Sequence, residues 1–262
     1  MHDGSPLLAG SLRTTGDAFG EFLLAHYRSG VPAAEIIERD DGYIHFGSEP
    51  GMYFESVDSW SRSERALIRL ARGRVLDIGC GAGRHALHLQ DLGLDVMAID
   101  ESPGAIKVCK LRGVTSARVL SITQLQRLKG RRFDTVLLLG NNFGLLGSPR
   151  RAKRILATLR ELTSDDAVIL AGTRDPYRTT DPDHFAYHRR NRARGRLAGQ
   201  LRLRVRHRNV IGRWFDYLFV SSAEMTRVLK GTGWQVHRVL AKSSPNYFAV
   251  IGKGPCAASK MA

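Results

Sequence analysis

The sequence predicts an α/β fold built on a largely parallel sheet. Three observations carry this. Strand-like and helix-like patterns alternate from residue 74 to residue 173. Runs such as "FDTVLLLG" (133–140) and "AVILAG" (167–172) are apolar throughout, as strands buried on both faces are. The stretch "RVLDIGCGAGRHALHL" (74–89) passes from a short apolar strand through a glycine-rich turn into a helical pattern.

Residues 17–29 ("DAFGEFLLAHYRS") carry apolar residues at helical spacing and read as an N-terminal helix. Residues 31–60 are rich in Gly, aromatics and acids and read as a loop or lid. Residues 61–72 read as a second helix, with Ser61 and Glu64 at capping-box spacing. Strands follow at 74–79, 94–100, 117–121, 133–139 and 166–173, with helices at about 82–92, 102–111 and 148–162. Residues 174–200 are polar and read as irregular. "LRLRVRHR" (201–208) alternates strictly, so one strand face is apolar and the other basic. Strand 214–220, helix 221–231 and strands 234–240 and 246–252 close the chain, the last two as an antiparallel hairpin at the sheet edge.

The 262 residues are 43% hydrophobic, enough for one domain with a full core. No run approaches the roughly 18 apolar residues of a membrane span. The first twenty residues lack a basic start followed by an apolar core, so no secretory signal is expected. Cys80, Cys109 and Cys256 stand far apart in sequence and form neither a metal clip nor a disulfide framework, which points to a reducing, cytoplasmic setting. The oligomeric state is left open.

The glycine turn decides the ligand class. The dinucleotide fingerprint G-x-G-x-x-G is not met, because Arg84 holds the third glycine position. The spacing is instead Asp77-x-Gly79-x-Gly81-x-Gly83. An acid at the strand end disfavours a pyrophosphate and favours a cation. S-adenosylmethionine carries an ammonium and a sulfonium and no phosphate. Asp100, 21 residues after Gly79, closes the second strand, where a carboxylate can accept both ribose hydroxyls.

With these residues the chain resembles the class I S-adenosylmethionine-dependent methyltransferases over roughly residues 60–252. The matching stretches are "VLDIGCGAG" (75–83), "VMAIDESPGAIKVCKLRG" (96–113), "FDTVLLLGNNFGLLG" (133–147) and "GWQVHRV" (233–239). The resemblance implies a Rossmann-like seven-stranded sheet of order 3-2-1-4-5-7-6, its last strand antiparallel, with helices on both faces. Residues 1–60 then form an N-terminal helix and lid. Residues 61–252 form the S-adenosylmethionine-binding domain, with a substrate-side β insertion at about 174–213, and residues 253–262 a tail. The implied cofactor set is Asp77 at the amino group, Gly79, Cys80, Gly81 and Gly83 along the turn, and Asp100 and Glu101 at the ribose edge. Ser121 or Ile122 stands at the adenine, where many members carry Asp, and Gly140 and Asn141 complete the set. The spent product would be S-adenosylhomocysteine.

On the substrate side, Asn141 and Asn142 follow the fourth core strand, beside the expected methyl group, and are candidates to orient the acceptor. The Asp/Asn-Pro-Pro-aromatic run of base and glutamine methylation is missing, since Phe143 and Gly144 follow. His184 and His188, four apart, are candidate general bases. No metal site is expected, because "DHFAYHRR" lacks a zincin glutamate. Tyr43, Tyr53, Tyr177 and Tyr187 are candidates to shape the acceptor pocket.

Charge poses the remaining question. The formal net charge is +15, and residues 184–215 hold ten arginines and no acid. A basic strand 201–208 suits an RNA phosphate grip. Arg204 and Arg206 suit an anionic small molecule. The arginines also suit a solvated face, or pairing with acids such as "ERDDG" (38–42). The favoured reading is methyl transfer to N or O of a small molecule, an anionic one included. Its alternatives are an RNA methyltransferase and a non-catalytic cofactor-binding or interaction protein.

Overall fold

The computed structural model describes residues 14–30, 35–47, 49–241 and 244–254. Cys256, most of the expected tail and residues 1–13 of the stretch in which no signal is expected lie outside the described residues. In chain order the strands are β1 (Thr14–Thr15), β2 (Ile36–Arg39), β3 (Ile44–Phe46), β4 (Arg74–Ile78), β5 (Asp95–Asp100), β6 (Ala117–Val119), β7 (Phe133–Leu138), β8 (Thr163–Arg174), β9 (Gln200–His207), β10 (Val210–Ile211), β11 (Phe215–Leu218), β12 (Trp234–Leu240) and β13 (Asn246–Lys253). The helices are α1 (Ala18–Ser29), α2 (Arg62–Ile68), α3 (Arg84–Asp91), α4 (Pro103–Leu111), α5 (Pro149–Glu161), α6 (Pro182–Ala193) and α7 (Ser222–Leu229).

The core is a seven-stranded sheet of order β12-β13-β8-β7-β4-β5-β6. Counted from β4, that is 3-2-1-4-5-7-6. Strand β13 runs antiparallel to both β8 and β12, while β4, β5, β6, β7 and β8 pair in parallel. The period of two sorts side chains to opposite faces. Leu76, Ile78, Met97 and Ile99 pack with α5 and α7 residues such as Leu156 and Met225. Val75, Val96 and Ala98 pack with Leu67 of α2, Leu89 of α3 and Ile106 of α4. The result is a three-layer α/β/α core, as expected.

Three expectations are corrected. Residues 31–60 are not all loop: β2 and β3 form an antiparallel pair there. Their short, acidic strands hide the alternation that marks a strand. Residues 174–200 are not all irregular either. Helix α6 occupies 182–193, opened by Asp181, whose side chain accepts from the Asp183 N–H, and by Pro182 in its first turn. Its apolar face is narrow, so its sequence gives little helical period. Helix α2 ends at Ile68, shorter than expected. Ser61 caps it, but the Glu64 side chain turns to Arg84 and His85 instead of closing the capping box.

The main addition to the core is a second sheet. Strand β9 lies at its centre, between β2 on one side and β10 and β11 on the other, with β3 outside β2. Thus the N-terminal segment and the insertion, the two extensions of the core, pair with each other. Helix α1 packs against α4 so closely that a Cβ on Gly104 would lie 2.6 Å from Gly20 Cα. Asp17 fixes this contact: it caps α1 through Gly20 N–H and also accepts from Ser102 Oγ and Gly104 N–H at 2.8 Å.

Candidate cofactor and acceptor site

The glycine turn leaves β4 with φ of +72°, +56° and +81° at Gly79, Gly81 and Gly83, a region that side chains with a Cβ rarely adopt. The sequence therefore sets the turn's path. Cys80 within it is buried, and its sulfur lies 3.6 Å from that of Cys109 on α4. The two thiols, far apart in sequence, meet in space. Cys109 Sγ also donates to Gly81 O.

Two carboxylates converge on this turn. Asp100 accepts Gly81 N–H at 3.0 Å and Ser102 N–H at 2.9 Å. Burial pushes its pKa up to about 6 against those two hydrogen bonds. Asp77 is buried deeper, and its Oδ2 makes no hydrogen bond. Burial raises its pKa to about 7, and the charge of Asp100 adds to the shift. A buried carboxylate oxygen without a partner is costly, and an ammonium placed there removes the cost. The pair therefore fits a cationic ligand and opposes a pyrophosphate. Each Asp100 oxygen keeps a second lone pair for a ribose hydroxyl.

Other expected cofactor residues gather at the same end of the sheet. Glu101 is exposed and accepts from Ser121 Oγ at 3.3 Å. Ser121 opens a capped turn at 122–128, in which Ile122 is buried. Gly140 has φ +63°, and Asn141 has φ +69°, a left-handed conformation that Asn tolerates. Asn142 turns back under the glycine loop and donates to Ile78 O and Gly79 O at 3.0 and 2.8 Å. Its amide nitrogen is thus engaged in holding the loop.

The second sheet closes over this end. Tyr217 on β11 donates to Asn141 O at 2.7 Å. Tyr53 lies over the glycine turn, within 3.4 Å of where a Gly81 Cβ would stand, and donates to Glu35 Oε2 at 3.0 Å. Glu35 is buried just before β2. Phe19 of α1 meets Tyr53 edge to face. Neither Glu35 nor Tyr217 is apparent from sequence. Glu35 sits in a segment that reads as loop, and the role of Tyr217 depends on pairing across the insertion.

The other expected acceptor residues lie elsewhere. Tyr43 donates to Asp181, the cap of α6, and Tyr187 of α6 to Asp40, while Tyr177 donates to Glu224 and so ties the segment before α6 to α7. His184 bonds Thr179 and packs on Tyr43, and His188 packs against Tyr177 and Phe185. Burial lowers both histidine pKa values, that of His188 to about 4. They share one helix face, as their spacing predicts, but their partners belong to neither the glycine turn nor the turn after β7.

Arg204 makes a two-pronged contact with Glu38, at 2.8 and 2.9 Å, and Arg206 reaches the same carboxylate at 3.1 Å. Glu38 belongs to the "ERDDG" run. Alternation along β9 puts these arginines on one face and Leu201 and Leu203, which pack with Tyr217, on the other. The pairing reading holds for Arg204 and Arg206. Among the described residues no group of three His, Cys, Asp or Glu could hold a metal ion, and no helix is long and apolar enough to cross a membrane.

Comparison with known proteins agrees with this arrangement. Residues 75–166 match the family model of a methyltransferase domain. The chain is 40% identical over 76 residues to a ubiquinone biosynthesis O-methyltransferase of Xanthomonas oryzae pv. oryzae, covering 27% of this chain and 32% of that protein. The counterpart from Xanthomonas campestris pv. campestris is 37% identical over the same share. The chain therefore spans about a third of the length of these curated relatives. A crystal structure of an S-adenosylmethionine-dependent methyltransferase from Bacteroides fragilis, in complex with S-adenosylhomocysteine, aligns with TM-score 0.76 at 24% identity, over 91% of this chain and 95% of that one. The CcbJ methyltransferase from Streptomyces caelestis aligns with TM-score 0.56 at 18% identity, over 78% and 98%. Residues 75–166 thus match a methyltransferase domain, and the chain around them has the fold of S-adenosylmethionine-dependent methyltransferases, with two carboxylates converging on the glycine turn.

Proposed function

We infer that the protein transfers a methyl group from S-adenosylmethionine to N or O of a small molecule in the cytoplasm. The observation that carries this is the pairing of β2 with β9. It turns two separate extensions into one roof over the ends of β4 and β7, a shape that encloses a small ligand. Asp77 would face the ammonium, Asp100 the ribose hydroxyls and the Ser121–Ile122 turn the adenine. The bound sulfonium supplies an electrophilic methyl group. The chain's own residues orient the acceptor in line with it and keep water out, and positioning of this kind supplies much of such a rate enhancement. The curated relatives are named as O-methyltransferases, but the similarity covers only 76 residues, 27% of this chain. An anionic acceptor would have to draw Arg204 and Arg206 away from Glu38, and an RNA grip on strand 201–208 would have to do the same.

The test is incubation with cofactor labelled on its methyl group and a fractionated extract of the source cells. Label in the low-molecular-weight fraction is expected. Label in RNA overturns the small-molecule reading. Cofactor binding with no labelled fraction overturns the catalytic one.

A further inference from the structure

One outer layer of the core sheet has no part in the cofactor or acceptor site. The turn at 122–128, α5 and α7 bury Leu125, Ile155, Leu156 and Met225 in one cluster on the same face of the sheet. Helix α5 packs on both the turn and α7. With their apolar sides down, all three present their polar sides outward together. That outer side is basic. Residues 118–160 hold ten lysines and arginines and one acid. The acid, Asp134, is occupied: it accepts from Ser164 Oγ and from the Arg74 N–H. On α5, Arg150, Lys153 and Arg154 form an exposed stripe at helical spacing, about 6 Å long along the axis. Arg127 is exposed on the turn, and Arg227 and Lys230 on α7. Helices packed side by side lie about 8–10 Å apart, so these cations spread over a broad area and do not line a pocket.

Among the described residues no acid pairs with Arg127, Arg150, Lys153 or Arg154. Arg227 approaches Glu224 at 3.8 Å. Arg204 and Arg206 of the roof differ, since they already share Glu38. Like charges gathered on one face repel, and an anion laid across them removes that repulsion. An open face of this kind suits a polymer better than a small ion. Among the described residues, 122–161 and 222–230 present no exposed large apolar or aromatic side chain. A helix that binds a lipid surface needs such side chains to bury. The bases of a single strand need aromatic faces to stack on. A duplex held by its phosphates needs neither. A-form RNA offers a wide, shallow minor groove, whose 2′-hydroxyls and flanking phosphates a broad surface can meet. Gln126 and Thr226 are exposed beside Arg127 and Arg227 and can bond such hydroxyls.

We propose that the layer formed by α5, α7 and the turn at 122–128 docks double-helical RNA by its phosphates, with Arg150, Lys153 and Arg154 at the centre of the contact. The RNA is a partner and not the methyl acceptor, because the layer lies on the flank of the sheet, outside the roof that covers the glycine turn. The proposal is independent of the acceptor's identity and of the methyltransferase reading.

The experiment measures binding of the full chain to a fluorescent RNA duplex of roughly 20 base pairs as salt rises from about 50 to about 200 mM. Affinity should fall steeply with salt. The triple variant Arg150→Ala, Lys153→Ala, Arg154→Ala should lower the slope of log affinity against log salt by about 3, roughly one for each phosphate contact removed. At the low-salt end its binding should be weaker by at least about tenfold. Arg189→Ala, Arg194→Ala, Arg213→Ala removes the same charge from exposed positions elsewhere and should change the slope by less than about 1. Equal losses in the two variants, or no binding by the native chain at the lowest salt, overturn the docking surface. Equal affinity for a DNA duplex of the same sequence overturns the choice of RNA. Binding to phosphatidylglycerol vesicles that the α5 variant loses overturns it in favour of a membrane. Transfer of methyl label into the duplex overturns the partner role. The three α5 side chains are exposed, so the fold should hold. Should that variant melt early, Arg154→Ala alone gives the second reading, a slope change of about 1.

Discussion

Tyr217 donates its hydroxyl proton to the carbonyl of Asn141 at 2.7 Å, so a side chain of the roof sheet holds the turn that follows the fourth core strand. The fit is close, since a Cβ on the neighbouring Gly144 would stand 2.2 Å from the Tyr217 ring. Tyr217→Phe keeps the ring and removes one hydrogen bond. Stability should drop by about 1 kcal/mol, the usual worth of such a bond. Turnover should fall more than cofactor affinity. Thermal melting, calorimetry and steady-state rates separate the three.

Asp100 is proposed as the anchor for the ribose. Asp100→Asn turns an amide N–H₂ toward either Gly81 N–H or Ser102 N–H, where the carboxylate accepts from both. Loss of charged hydrogen bonds costs on the order of 2 kcal/mol, a factor of about 30 in cofactor affinity. Titration calorimetry measures it. Unchanged affinity in a folded variant removes Asp100 from the ribose.

Cofactor binding should depend on pH. The ligand-free pKa values of Asp77 and Asp100 are raised by burial to about 7 and about 6. A cation binds the ionised forms, so affinity should rise from pH 5 through pH 7 and then level, with protons released on binding. Calorimetry in buffers of different ionisation enthalpy counts those protons. The sign for the ligand-free fold is opposite. Groups with raised folded pKa values stabilise fully below their unfolded values near 4, and that contribution is lost as pH rises through 6 and 7. Asp77→Asn should flatten both profiles.

Glu38 stands between two arginines on the roof. The hydrogen bond from Arg204 is the largest influence holding its pKa below the ordinary range. Glu38→Gln leaves Arg204 and Arg206 facing each other without a shared anion. The cost should be about 1–2 kcal/mol, because the pair is only partly shielded from water. A depressed folded pKa stabilises above the unfolded value near 4.5, and that contribution fades as pH falls below it. Melting curves at pH 7 should therefore separate the variant from the native chain, and curves near pH 3 should bring them together.

The parts legible in sequence are those fixed by local chemistry. The apolar run of β4, the three glycines and the two carboxylates lie in one short stretch plus a spaced acid, so Asp77, Gly79, Gly81, Gly83 and Asp100 stand out. Strict alternation marks β9. The roof is different in kind. Its meaning lies in which strand pairs with which, and β2 and β9 join residues 166 apart. Glu38, seen as one of a cluster of acids, gives no sign of which arginines it holds. Tyr43, Tyr177 and Tyr187 look like Tyr53 in sequence. Only packing separates the phenol above Gly81 from three that fasten α6 and the segment before it to their neighbours.

That long-range pairing also sets an order of assembly. As the chain is made from its N-terminus, β2 exists long before β9, and β4, β5, β6, β7 and β8 lie between them. The parallel core can form while β2 still lacks its partner, and contacts between distant residues are slow to close. Strand β2 therefore waits as an open edge, which invites pairing with other chains until β9 arrives. The enclosure that would make the site selective thus comes into being only after the five parallel strands beneath it. A nascent chain stopped before residue 200 would have the glycine turn and both carboxylates, with β2 and β3 lacking the strand that holds them over the site.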